Sequence, residues 1–260
     1  MSTVLAPQVP PHIFSAITPY GPLPDTDLCL TPCQMEGAGL AINQFRKVYI
    51  TREGSTRAGF FLGDGAGVGK GRQIASVIRH AVSAGANRHL WLSVSRSLID
   101  DARRDLDDVG LKGVQVHSGD MLNAAKGLGE AQDGVLFVTY QMLVSNSRIE
   151  QIISWMCEKG DPSAACGCLI FDECHKAKNL GESKTSQAVI NLQSRLPMCR
   201  VLYCSATGVS DVKHMAYAVR LNLWGGHTPY PTFAHFQKML VDRGIGGLEM
   251  LSLEMKIQGR

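Results

Sequence analysis

Short apolar runs alternate with helical stretches along the chain from about residue 58 onward. A run that is apolar at nearly every position is typical of a strand buried on both faces, and such strands are typical of a parallel sheet. Alternating strands and helices with right-handed crossovers predict a doubly wound α/β domain with helices on both faces. The predicted strands are 59–62, 89–94, 114–117, 135–139, 168–171 and 201–204, and the predicted helices are 70–83, 98–109, 149–158, 185–196 and 212–221.

The N-terminal part of the chain has a different composition. Seven of the eleven prolines precede Gln34, and residues 1–30 are nearly uncharged. We therefore expect an extended, proline-rich arm over 1–30, followed by one domain over 31–260. A helix should begin directly after the arm, because Thr31 is a favourable N-cap and Pro32 suits the first helical position. We expect that helix to continue to about Tyr49.

The segment after the first predicted strand is rich in glycine. In doubly wound domains, ligands bind beyond the carboxyl ends of the strands. Glycines there let backbone N–H groups turn inward around an anion, and the following helix adds its N-terminal dipole. Lys70 supplies a positive charge for phosphate oxygens. The residues predicted to bind a nucleotide here are Asp64, Gly65, Gly67, Gly69, Lys70, Gly71 and Arg72.

The match of this segment to the usual P-loop, G-x-x-x-x-G-K-[ST], is incomplete. Asp64 stands at the first glycine position, and Gly71 replaces the hydroxyl residue that helps to hold Mg²⁺. A glycine-rich turn with a surface lysine is therefore an alternative interpretation. A dinucleotide fingerprint, G-x-G-x-x-G, is a second alternative, which the sequence does not satisfy in this frame.

Two further strand ends carry polar residues. Asp172 and Glu173 begin a DExH tetrapeptide after the fifth predicted strand. Asp172 can hold Mg²⁺, directly or through water, and Glu173 can orient or deprotonate an attacking water. Ser205 and Thr207 follow the sixth predicted strand, where such residues often only cap the next helix. In this order along the chain they have a second interpretation, as a link toward His175 that couples the nucleotide site to a neighbouring surface.

The order of these segments resembles the first lobe of superfamily 2 helicases and translocases, which is a RecA-like P-loop NTPase domain. The resemblance implies ATP and Mg²⁺ as ligands, with Lys70, Asp172 and Glu173 as catalytic residues. It also casts Gln34, in the segment 30–34, as the residue that reads adenine. Residues 93–95 and 139–140 look like the positions that touch a nucleic-acid backbone, and ordinary strand-end hydroxyls are the alternative for each.

The amino-acid sequences of these segments point to one family within the superfamily. The P-loop segment resembles that of the strawberry notch family, including the glycine at position 71. The resemblance covers about residues 30–259 and implies a nuclear, helicase-like regulator of transcription with transcription or chromatin proteins as partners. The segments similar to that family are 59–72, 171–179, 205–208, 215–217, 223–225 and 228–229.

Charge and cysteine content limit the other functional classes. The net charge of +3 and the pI of 8.4 do not indicate a strong nucleic-acid binder, since a basic footprint usually brings a pI above about 9. The charges on helix 98–109 are interpreted as a solvated face. The eight cysteines lack a paired zinc spacing and are interpreted as reduced, packed thiols, with a metal site as the alternative. With no secretory signal or bilayer-length apolar stretch, we expect a soluble, intracellular protein.

Two classes of function remain open. The sequence ends at Arg260, soon after the first lobe, so we expect ATP binding with hydrolysis that is weak or absent without a second RecA-like lobe. The alternative is a non-catalytic interaction module that keeps the fold and binds proteins through surfaces around 224–236. A small-molecule kinase is a third interpretation, which the Ser-Ala-Thr strand end and the absent lid segment oppose.

Overall fold

The computed structural model describes residues 30–51, 54–123, 128, 133–157, 160–174, 184–206, 212–226 and 228–259. The predicted arm over 1–30 lies outside these residues except for Leu30. Helix α1 (Pro32–Gln44) begins as predicted, with Thr31 as its N-cap in a capping box. The Thr31 hydroxyl accepts from the Gln34 backbone N–H at 3.3 Å, and the Gln34 side chain accepts from the Thr31 N–H at 3.0 Å.

The predicted end of this helix is wrong. Helix α1 ends at Gln44, and the chain continues as an antiparallel hairpin of strands β1 (Val48–Thr51) and β2 (Gly54–Arg57). The β-branched and aromatic residues of β1 favour an extended backbone, and this preference exceeds the weak helical period that the sequence shows there.

The central sheet has six strands. They are β3 (Gly59–Leu62), β4 (Arg88–Ser93), β5 (Val116–Ser118), β6 (Gly134–Thr139), β7 (Cys168–Phe171) and β8 (Arg200–Cys204). All neighbours pair in parallel, in the order β3-β8-β7-β4-β6-β5. The predicted parallel sheet is therefore confirmed, with strand bounds within two residues of those predicted.

The sequence predicted five further helices. Four predicted helices form with small changes of bounds, but the predicted helix 212–221 is wrong. That segment forms two 3₁₀ turns, Val212–Met215 and Val219–Leu221. The Arg220 backbone N–H donates to the Tyr203 hydroxyl at 3.2 Å and not to a carbonyl of the preceding turn, as a helix would require. Two C-terminal helices were not predicted. In chain order the helices after α1 are α2 (Lys70–Ser83), α3 (Ile99–Asp108), α4 (Asn146–Met156), α5 (Lys184–Arg195), α6 (Phe233–Asp242) and α7 (Gly244–Gln258).

The hydrophobic core lies on both faces of the sheet. Alternate residues of each strand point to opposite faces, so that Leu90 and Leu92 join one cluster and Trp91 joins the other. Helices α1, α2 and α3 cover the face of Trp91, and α4 to α7 cover the opposite face. This confirms helices on both faces. Each large apolar side chain that is fully buried in these layers contributes roughly 1.5–3 kcal/mol to folding.

Within the described ranges, no helix combines the length and apolarity needed to cross a bilayer. Seven cysteines fall in these ranges and all are free thiols. The expectation that they are packed holds for the five buried ones, but it is wrong for Cys33, which is exposed, while Cys166 is only half-buried. Among the same residues, no group of three or more His, Cys, Asp or Glu side chains could hold a metal ion.

Candidate nucleotide-binding site

The sheet order brings the polar strand ends together. Strand β8 lies between β3 and β7, so Ser205 lies between the glycine-rich loop after β3 and Asp172 after β7. The Ser205 backbone N–H donates to the Leu62 carbonyl oxygen at 3.1 Å. Because all three strands are parallel, their ends form one edge, as the sequence predicted. Thr207 and His175 lie outside the described residues, so their predicted coupling role stays a prediction.

The loop between β3 and α2 has the features of an anion site. Gly69 is the N-cap of α2 and has a left-handed backbone, with φ of 85°. No side chain caps the first turn of α2, and that turn contains no acidic residue. Open space surrounds Gly65 and Gly67. Helix N-termini of this kind attract anions through unpaired N–H groups and the helix dipole. The Lys70 ammonium donates to the carbonyl oxygens of Asp64 and Gly65, each at 3.1 Å, which keeps its charge beside the loop.

Gln34 of helix α1 holds this loop from the other side. Its side-chain Nε2 donates to the Val68 carbonyl oxygen at 2.9 Å, while its Oε1 accepts from the Thr31 N–H. The side chain is buried, and a Cβ atom added at Gly69 would come within 2.3 Å of its Nε2. Both ends of the amide therefore have protein partners, and the predicted contact of Gln34 with adenine stays a prediction.

Asp64 is anchored to helix α2. The Gln73 side-chain amide, which is fully buried, donates to the Asp64 carboxylate at 2.6 Å. The acidic residue at the first glycine position of the P-loop pattern thus ties the loop to the helix that follows it. Its predicted contact with nucleotide is untested.

Helix α3 packs its acidic face on the start of α2. Arg72 pairs with Asp108 at 2.8 Å. A Cβ atom at Gly71 would lie only 1.8 Å from Oδ2 of Asp105, so only glycine fits there while Asp105 keeps this position. The prediction that the charges of this helix form a solvated face is therefore wrong for Asp105 and Asp108. It holds for the exposed pairs Arg103–Asp100 and Arg104–Asp101.

Asp172 is held by three neighbouring groups. The Ser93 hydroxyl donates to its carboxylate at 3.3 Å, the Glu173 backbone N–H donates to the same carboxylate at 2.9 Å, and the Tyr140 hydroxyl donates to its carbonyl oxygen at 2.9 Å. Burial, and then the negative charge of Glu173, raise the pKa of Asp172 to about 6. A divalent cation beside this carboxylate would favour its charged form, and carboxylate oxygens are the ligands that Mg²⁺ prefers.

Glu173 has a strained backbone. Its φ of 48° places it in the left-handed region, which costs an ordinary L-residue roughly 1–2 kcal/mol. Residues held in such conformations cluster at functional sites, where the surrounding structure enforces a geometry that the chain would otherwise avoid. The strain therefore agrees with the predicted catalytic position of Glu173.

Comparison with known proteins identifies the family. The family model described as P-loop containing NTP hydrolase pore-1 matches residues 10–260. Protein strawberry notch homolog 2 of Homo sapiens is 38% identical over 266 residues, which is 99% of this chain and 18% of that protein. Protein strawberry notch of Drosophila melanogaster is 42% identical over 230 residues, which is 81% of this chain and 14% of that protein. The chain belongs to the strawberry notch family. It spans less than a fifth of the length of these two relatives.

Solved structures support the fold of this strawberry notch domain. The Sulfolobus solfataricus SWI2/SNF2 ATPase core domain aligns with a TM-score of 0.59 and 17% identity, covering 88% of this chain and 42% of that one. The UvsW helicase from Bacteriophage T4 aligns with a TM-score of 0.52 and 14% identity, covering 75% of this chain and 58% of that one. The predicted α/β P-loop NTPase fold, as in the RecA-like domains of helicases, is thus confirmed.

Some predicted site residues of the strawberry notch domain lie elsewhere than expected. Ser93 is fully buried and Tyr140 is 4% exposed, so neither is at a surface that a nucleic acid could touch. Both instead bind Asp172, and sequence reasoning missed this role because it depends on the sheet order, in which β4 lies beside β7 and β6 lies beside β4. In the segment 224–236, the partly buried rings of Trp224 and Phe233 pack on Phe236, which is buried. The predicted binding of partners by this surface stays a prediction.

Proposed function

We propose that this chain is the ATP-binding domain of a helicase-like strawberry notch protein. The observation that carries the proposal is the adjacency of the glycine-rich loop, Ser205 and Asp172 along one edge of the sheet, which follows from the order β3-β8-β7. In this proposal the nucleotide phosphates bind at Gly65, Gly67, Gly69 and the first turn of α2.

Each charged group has a separate role in the proposal. Lys70 moves from the carbonyls of Asp64 and Gly65 to the phosphate oxygens when a nucleotide binds, exchanging neutral acceptors for charged ones. Asp172, oriented by Ser93, would hold Mg²⁺ directly or through water, and the bound cation would supply neutralisation of phosphate charge. Glu173 accepts a proton from the attacking water.

Titration calorimetry of ATP in the presence of Mg²⁺ tests the binding site. Lys70→Ala should weaken binding by roughly 1.5–3 kcal/mol, as expected for loss of a hydrogen bond to a charged group. Lys112→Ala is the matched control, because Lys112 is an exposed lysine in the turn after α3. An unmodified chain that binds no ATP at millimolar concentration would exclude this function and favour the non-catalytic interaction module.

We further propose that efficient hydrolysis needs residues from outside this chain. Two-lobe motors assemble their catalytic site only when a second lobe closes on the nucleotide, and the chain spans less than a fifth of its relatives. The rate at which this chain releases phosphate from ATP should be close to that of the uncatalysed reaction, although ATP still binds. Turnover by the isolated chain that depends on Glu173 would contradict this part of the proposal.

Contact with a nucleic-acid backbone is also proposed. A solved helicase of similar fold, MrfA, is bound to DNA and AMPPNP, and it aligns with a TM-score of 0.53 and 13% identity, covering 83% of this chain and 28% of that one. Arg96, beyond the end of β4, is an exposed cation that a phosphate could contact, although it pairs with Asp120 at 2.9 Å. The logarithm of the binding constant should fall linearly with the logarithm of the salt concentration, with a slope of about −0.7 to −0.9 per phosphate contacted. A role in transcription or chromatin regulation in the nucleus is supported by the family resemblance alone.

A further inference from the structure

The most unusual residue of the P-loop is Gly71, which stands where a serine or threonine hydroxyl normally helps to hold Mg²⁺. The structure shows what occupies the space of the missing side chain. Oδ2 of Asp105 lies 1.8 Å from the position that a Cβ atom of residue 71 would take, and the Asp105 Cγ lies 2.8 Å from it. A hydroxyl oxygen of serine would be bonded to that Cβ, so the carboxylate oxygen lies within a bond length or two of where it would stand.

We propose that the Asp105 carboxylate replaces the P-loop hydroxyl in supporting the divalent cation that binds with the nucleotide. The proposal rests on the proposed binding of ATP with Mg²⁺, and it assigns a second carboxylate to the cation in addition to Asp172. Oxygen ligands from carboxylates suit Mg²⁺ as well as a hydroxyl does, and they add a negative charge.

Helix α3 is built to keep this carboxylate in place. The other oxygen of Asp105, Oδ1, faces the Arg104 guanidinium at 3.5 Å. One turn further along α3, Asp108 pairs with Arg72 at 2.8 Å, so the two helices are joined beside Gly71. The Asp105 side chain is only 15% exposed, whereas Asp101, one turn earlier, is 50% exposed. A carboxylate that served only solubility would not be directed at the start of the P-loop helix.

The experiment measures ATP affinity by calorimetry with excess Mg²⁺ and again with EDTA. The difference between the two affinities is the Mg²⁺-dependent gain, and the value in EDTA is the affinity for the nucleotide without the cation. Asp105→Asn keeps the shape of the side chain and removes its charge. We expect it to reduce the Mg²⁺-dependent gain in affinity about tenfold, the effect of losing one charged contact, and to leave affinity in EDTA equal or slightly higher. Asp101→Asn on the same helix, which shares the partner Arg104, should change neither value.

A double variant separates a role at the cation from packing. Gly71→Ser together with Asp105→Ala removes the steric conflict and returns a hydroxyl to the P-loop, so it should recover Mg²⁺ dependence that Asp105→Ala alone loses. Thermal unfolding of each variant without ligand checks that the fold is intact.

The possible results are distinguishable. A full Mg²⁺-dependent gain in Asp105→Asn, or a double variant no better than Asp105→Ala, would show that Asp105 only packs against Gly71, even if Lys70-dependent ATP binding is intact. An unmodified chain that binds no ATP in either condition would overturn the proposed function, and this inference with it.

Discussion

Gln34 donates a hydrogen bond from its side-chain amide to the carbonyl oxygen of Val68 at 2.9 Å, and this bond ties helix α1 to the P-loop. The same side chain completes the capping box at Thr31. A single glutamine therefore connects the start of the domain to the loop that precedes α2. This position explains why the residue is buried even though it is polar.

Gln34→Glu separates two possible roles of this residue. The carboxylate can still accept from the Thr31 N–H, but it cannot donate to Val68 and it faces a carbonyl oxygen. We expect a loss of roughly 1–3 kcal/mol in the free energy of unfolding, measured by urea denaturation. If the residue mainly supports the loop, affinities for ATP and GTP should fall together. A loss confined to ATP would instead establish contact with adenine. Gln141→Glu at an exposed position is the control.

Glu173→Gly should stabilise the fold while removing the proposed catalytic base. Glycine adopts the left-handed region without the penalty that Glu173 pays at φ of 48°, so the free energy of unfolding should rise by about 1 kcal/mol. Asn222→Gly is the matched control, because Asn222 has a similar φ of 52°. Asparagine tolerates this region better than glutamate does, so this change should raise the free energy of unfolding by less. Glu173→Gln, which removes the charge and keeps the backbone strain, should lack the gain. Equal stability of Glu173→Gly and Glu173→Gln would show that strain relief is not the cause.

The sequence predicted the parts of the fold that depend on local pattern. Fully apolar strands and the start of α1 were readable because burial on both faces and a Thr-Pro cap leave short-range signals. The order of the strands was not readable, since it depends on contacts between distant segments. The roles of Ser93 and Tyr140 at Asp172, and of Asp105 at Gly71, follow only from that order. The aspartates of α3 look alike in the sequence, and only packing on α2 distinguishes Asp105 and Asp108 from the exposed ones.

Arg220 is expected to be a major source of stability. Its guanidinium is buried and donates to four backbone carbonyls, at 2.7 Å in every case. The acceptors are the carbonyl oxygens of Arg57, Gln193, Leu196 and Pro197. Arg220→Ala would remove the guanidinium donor from all four oxygens, although those of Pro197 and Leu196 each keep a backbone N–H donor. We expect a loss on the order of 3–5 kcal/mol in the free energy of unfolding.

Two variants check this expectation in urea denaturation. Arg220→Lys keeps the charge but lacks the planar fork that reaches several acceptors, so it should fall between the wild type and Arg220→Ala. Arg103→Ala removes an exposed arginine paired with Asp100 and should cost less than about 1 kcal/mol. A loss for Arg220→Ala as small as that of Arg103→Ala would rule out the proposed role.

His89 should make the protein less stable as the pH falls below neutrality. The ring lies inside the sheet, where its Nδ1 accepts from the Cys168 backbone N–H at 3.1 Å. Burial lowers the pKa of His89 from 6.5 to about 4. Since the unfolded chain binds a proton at higher pH than the folded chain does, the stability present above pH 6.5 is lost progressively as the pH falls toward 4.

The effect of His89 can be isolated from other groups by comparing the free energy of unfolding at several pH values with that of His89→Gln. The wild type should lose up to about 1.4 kcal/mol per pH unit, or about 3 kcal/mol across the window, relative to the variant. Asp172 acts in the opposite direction, because its raised pKa means that the folded chain gains a proton first as the pH falls. This contribution is common to both proteins and cancels in the difference. Parallel stability curves for wild type and His89→Gln between pH 7 and 4 would show that His89 is protonated in the folded protein, or that it titrates alike in both states.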